Sequence, residues 1–132
     1  MKPDRSKDRP ALLALADILD TRPALIRRDE CSDWNLFGTN GHIYAIPEHD
    51  AFYVYLGFES ARAWTNAKRR LAFCRVTQNG GDEGFLRMSG FPNKKQAEAL
   101  RRTVGLPKRR HLSPEHKAKL VATQFKPKLV PV

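Results

Sequence analysis

The chain has 132 residues, a formal net charge of +10, 41% hydrophobic and 29% charged residues. Such a length allows one domain with one modest core, and such a composition excludes a disordered tail. No apolar run approaches the ~20 residues that cross a bilayer. The longest, Ala11 to Leu19, is broken by Asp17. It follows a mixed-charge start and has no small-residue cleavage site behind it, so a secretory signal is not expected. The expected location is the cytoplasm, or the nucleoid if DNA is the partner. Two distant cysteines, Cys31 and Cys74, support neither a disulfide framework nor a thiolate metal site. Cys74, in an apolar run, reads as a small buried hydrophobe.

Residues 1–9 alternate in sign and carry little to bury, which predicts a flexible N-terminus. Pro10 suits a first helical turn, and Leu12, Leu15, Ala16 and Leu19 recur at helical spacing. Thr21-Arg22-Pro23 should end that helix, because a residue before proline avoids the α region. Strand-like sequence follows. Ala24–Arg28 is short and apolar at its start. Asp33–Phe37 and His42–Ile46 flank Gly38-Thr39-Asn40-Gly41, and Asn-Gly is a strong hairpin signal. After the turn Pro47–Asp50 comes Ala51–Leu56, rich in aromatic and β-branched residues. Ser60 can cap a helix to about Leu71, with Trp64, Ala67 and Leu71 on its apolar face.

Two further strands flank Asn79-Gly80-Gly81-Asp82. A third helix runs from Asn93 to Val104, and Gly105 stands where a terminating glycine belongs. Ser113-Pro114-Glu115 opens a fourth helix to about Phe125. The expected fold is therefore α+β, with element order αβββαββαα. It is a mostly antiparallel sheet, a three-strand meander plus a hairpin, with about four helices. One domain spans residues 10–125, its basic helical pair covers 92–125, and 126–132 form an extended tail.

Charge sorts itself along this order. Asp33 to Ser60 holds four acids (Asp33, Glu48, Asp50, Glu59) and no Lys or Arg. Phe91 to Val132 holds eleven Lys or Arg and two acids. On the third helix, Lys94, Lys95, Arg101 and Arg102 share the face opposite Ala97, Leu100 and Val104. The connector adds Lys108, Arg109 and Arg110, and the fourth helix adds Lys117 and Lys119. These nine residues are the candidate nucleic-acid contacts, with Arg62 and Arg69 as possible additions. Phosphate binding needs charge density on a rigid support rather than a particular base geometry. Glu98 sits within that basic face, and its helical pairs are each worth only ~0.3–0.5 kcal/mol. The helix–glycine–helix order resembles a helix-turn-helix, with two departures. Arg101 stands where close helix packing wants a small residue, and the next apolar anchor, Leu112, falls one residue late; Pro114 also delays the next helix.

The aromatic strands invite comparison with sheets that stack unpaired bases. Four acids without a cation would repel such a strand. Alternation places Phe52, Val54 and Leu56 in the core and leaves Tyr53 and Tyr55 on a face expected to be acidic, open to a protein partner or a second copy. His111, Glu115 and His116 fit neither zinc-peptidase spacing. His42 and His49 flank a turn and should be surface residues. Gly41-His42-Ile43-Tyr44 followed by Tyr55-Leu56-Gly57 resembles the two tyrosine-bearing strands of GIY-YIG nucleases. That resemblance implies an arginine on the next helix, Arg62 or Arg69, and a metal-binding glutamate, Glu98. His42 is an insertion in the first motif.

The leading expectation is a small basic nucleic-acid-binding protein, duplex DNA favoured, with a regulatory or accessory role. No catalytic residue, metal or cofactor is expected. The alternatives are an inhibitor or adaptor whose basic helices dock on an acidic protein or an enzyme's nucleic-acid site, and a divergent nuclease.

Overall fold

The protein is described here by a computed structural model covering residues 7–109. The expected fourth helix and the C-terminal tail lie outside the described residues. Six strands form one antiparallel sheet: β1 (Ile26–Arg28), β2 (Trp34–Phe37), β3 (Gly41–Ile46), β4 (Ala51–Gly57), β5 (Arg75–Asn79) and β6 (Glu83–Ser89), in the order β1-β2-β3-β4-β6-β5. Three α-helices, α1 (Asp8–Ile18), α2 (Ala61–Arg70) and α3 (Lys94–Val104), and two single 3-10 turns, Pro23–Leu25 and Pro47–His49, complete the described elements. The class is α+β.

The sheet differs from the expected one in having one more strand. The sixth strand forms because Ile26 fills the core beside Leu36 and draws a three-residue segment into register with β2. Such a strand is too short to show a period of its own. The meander and the hairpin belong to one sheet, as expected. β6 lies against β4 from Ala51↔Ser89 to Gly57↔Glu83, so β5 is left at the edge.

Cross-strand register places Ile26, Leu36, Ile43, Val54 and Leu86 in one row on one face. All three helices pack on that side. α1 supplies Leu12, Leu15, Ala16 and Leu19, α2 supplies Trp64 and Ala67 with Leu71 just beyond, and α3 supplies Ala97, Leu100 and Val104. Every one of these positions sits at the helical spacing read from the sequence, and all are buried. Burying each large apolar side chain contributes ~1.5–3 kcal/mol.

Helix ends follow local chemistry. α1 begins two residues before Pro10, which is tolerated because first-turn amides have no intrahelical partner. It ends through Asp20 in the left-handed conformation (φ 58°), with the Thr21 amide donating to the Ala16 carbonyl. That turn precedes the expected Arg22-Pro23 stop. The Ser60 hydroxyl accepts from the Ala63 amide at the start of α2. Asn93 and Gln96 form a reciprocal capping box on α3. Gly105, at φ 81°, ends α3.

The C-terminus of α3 is fastened to the β2–β3 turn. The Thr39 and Asn40 amides donate to the Gly105 and Val104 carbonyls at 3.1 and 2.9 Å. The Asn40 side chain donates to the Thr103 carbonyl at 3.1 Å. A second clasp joins the following segment to α1. Thr21 and Lys108 form a β-bridge, and the Thr21 hydroxyl donates to the Pro107 carbonyl at 2.6 Å.

A Cβ on Gly38 would lie 2.5 Å from the Val104 carbonyl oxygen. Gly38→Ala should therefore destabilise the protein by about 1–3 kcal/mol, read by thermal or denaturant unfolding. Cys74 is buried, and burial pushes its thiol up to about 12, whereas Cys31 is exposed. A thiol reagent at mildly alkaline pH should label one cysteine in the native protein and both in denaturant.

Candidate nucleic-acid interface

On the helical layer, the apolar stripes of α2 and α3 face the sheet and their cations face outward. Arg62, Arg69 and Arg70 of α2 are exposed, as are Lys94, Lys95 and Arg102 of α3. Arg101 is half-buried. α2 packs against α3, which places both sets of cations on one layer. Lys68 is used locally, lying 5.1 Å from the Trp64 ring centroid and donating to Asn79.

The nine nominated residues do not form one uniform ridge. Lys94, Arg101 and Lys108 line one groove, but Asp17, Asp20 and Glu98 line it too. Arg102 pairs with Glu98 at 2.8 Å, both side chains being largely exposed. Arg109 turns inward. Its backbone amide donates to the Asp20 carbonyl, its guanidinium donates to the Thr21 carbonyl at 2.9 Å, and it pairs with Asp17 at 3.4 Å. Arg109 thus acts as a clasp between the segment after α3 and the end of α1. Arg110, Lys117 and Lys119 lie outside the described residues, as do His111, Glu115 and His116.

The opposite face of the sheet is covered by no helix among the described residues, and it is aromatic. Phe37, His42, Tyr55 and Phe85 form a continuous row across β2, β3, β4 and β6, with successive ring centroids 5.8, 5.1 and 5.1 Å apart. Tyr44 stacks on Tyr53 at 5.4 Å in the adjacent row. The face carries both signs: Asp29, Asp33 and Glu48 line one depression with His42, Tyr44 and Phe85, and Glu59, Asp82 and Glu83 line another with Phe37, His42 and Tyr55. Asp33, Glu48, Asp50 and Glu59 lie at strand ends and turns. The face itself receives Arg27 from β1, Arg87 from β6 and Arg75 from β5, by register with the tyrosine row. Its one acid within a strand, Glu83, accepts a 2.5 Å hydrogen bond from the Tyr55 hydroxyl.

These arginines were missed because pairing partners far apart in sequence set the composition of a sheet face. A signal was present in part: Arg87 alternates with the buried Leu86 and Met88.

The environment shifts several groups. His42, expected at the surface, is half-buried within β3; burial lowers its pKa, and the carboxylate of Asp29 opposes this weakly. The Asp33 amide, helped by the Cys31 amide and the Asn35 side chain, holds Asp29 below the usual carboxylate value. The hydrogen bond to Glu83 raises the Tyr55 pKa, and burial raises that of Tyr44.

Tyr44 and Tyr55 stand on the open face, while Arg62, Arg69 and Glu98 belong to helices on the other side. The structure does not bring together the residues on which a nuclease resemblance rests. Among the described residues there is no cluster of His, Cys, Asp and Glu able to hold a metal ion. Nor, among the described residues, is any helix long and apolar enough to cross a membrane. No protein-family model, curated protein or solved structure matches the chain.

The lowered His42 pKa carries a sign. The unfolded chain binds a proton near pH 6.5 and the folded chain binds it only at lower pH. Stability from this group is therefore complete above that range and is lost as pH falls through it. The melting temperature should drop between about pH 7 and pH 5, and His42→Phe should flatten that drop.

Proposed function

We propose that the protein binds nucleic acid, with duplex DNA the favoured ligand, through the outer surface of its helical layer, in a regulatory or accessory role. The observation that carries this reading is a charge imbalance on a rigid support. α2 contains Arg62, Lys68, Arg69 and Arg70 with no acid, and α3 contains Lys94, Lys95, Arg101 and Arg102 with Glu98 as its only acid. Duplex phosphates reward such density without a particular base geometry. Lys95, Arg102, Arg62 and Arg69 take the principal role, because they are exposed and line no groove with Asp17 and Asp20. The exposed Arg102–Glu98 pair is worth only ~0.3–0.5 kcal/mol, so a phosphate can displace the carboxylate. Arg109 is assigned to holding the segment after α3 in place.

Binding to a random duplex, followed by fluorescence anisotropy at increasing salt, tests this. Each phosphate contact should add about 0.9 to the log–log slope. The double variant Lys95→Glu/Arg102→Glu should flatten the slope by about two contacts' worth and weaken binding at least tenfold, with an unchanged melting temperature. A flat slope in the wild type, or no binding at about 50 mM salt, would overturn the proposal.

A further inference from the structure

The open sheet face combines three things that the helical reading leaves unused. The first is a depression of about 370 Å³ lined by Tyr44, Tyr53, Thr77, Gln78 and Phe85. Its lining is largely aromatic, and the Gln78 amide and the Thr77 hydroxyl add hydrogen-bonding groups. The Thr77 hydroxyl donates to the Phe85 carbonyl at 3.3 Å, which leaves it able to accept.

The second is a pair of like charges. Arg75 and Arg87 stand directly opposite each other across the β5–β6 ladder. Opposed like charges destabilise a sheet. No carboxylate among the described residues pairs with either one. An anion held between them would relieve the repulsion. The third is the far edge of the same face, where Arg27 lies 5.3 Å from the Phe37 ring centroid.

A flat apolar ring with a hydrogen-bonding rim, joined to an anion, is the chemistry of a nucleotide. A strand presents both to a sheet only when its bases are unpaired. We propose that this face binds single-stranded nucleic acid, a base entering the depression between Tyr44, Tyr53 and Phe85 while Arg75 and Arg87 hold an adjoining phosphate. The inference does not rest on duplex binding by the helices, because the two surfaces lie on opposite sides of the sheet.

The test uses the full chain and a labelled oligothymidylate of about 12 nucleotides, within the length that such surfaces cover. The wild type should bind it. Tyr53→Leu and Arg87→Gln should each weaken binding about tenfold, and Lys95→Glu/Arg102→Glu should leave it intact. Loss of duplex binding in the latter variant alone speaks to the helical surface, so the two readings fail separately. Arg87→Gln removes one of two opposed charges and should fold at least as well as the wild type; it carries the test if Tyr53→Leu does not fold. No binding by the wild type, or wild-type affinity in Arg87→Gln, overturns the proposal. So does a dimer in sedimentation that Tyr53→Leu dissociates, which would mean that a second copy covers the face.

Discussion

The register among β3, β4 and β6 is the constraint from which the rest follows. Ile43, Val54 and Leu86 stand opposite one another and are fully buried. Their neighbours one step along, His42, Tyr55 and Phe85, stand opposite one another on the other side. Because side chains alternate with a period of two, a slip of one residue in any strand would exchange a core position for an aromatic one. Three helices burying leucine, alanine and tryptophan against one face hold that register. The same register lines up the rings and arginines of the other face.

The helical layer depends on this frame through its ends. A helix terminus leaves carbonyls without intrahelical partners, and burying them unmet would be costly. The last turn of α3 finds partners in the Thr39 and Asn40 amides and the Asn40 side chain. The tight β2–β3 turn therefore sets where α3 ends and which way its cations point. Arg109 does similar work at the end of α1, spending a cation on architecture. The two sides of the sheet then differ in kind: one presents flexible charged side chains on helices, the other presents rings held in contact with one another.

Local chemistry was legible in the sequence wherever the deciding contacts lie within a few residues. The buried stripe of α1, the Ser60 cap, the Asn93 start and the Gly105 stop all follow from spacing and residue type, and so does the assignment of Phe52, Val54 and Leu56 to the core. What was not legible depends on partners distant along the chain. β1 exists only because β2 is beside it. The open face gained arginines the sequence did not announce, because β1, β5 and β6 bring them beside strands that carry none, while the acids rim it from the turns. Arg109 read as part of a basic connector because nothing in its neighbourhood announces Asp17 and Thr21. His42 read as a surface residue beside a turn, yet it is half-buried inside an aromatic row.

The edge strand β5 has a consequence for how the protein behaves in a crowded solution. All its residues are exposed, and no described strand pairs with its outer side. The ladder shifts between Val76 and Gln78, so the strand cannot present an unbroken run of donors and acceptors. Arg75 at its start repels an identical strand approaching in register. Both features oppose growth into a continuous intermolecular sheet at this edge.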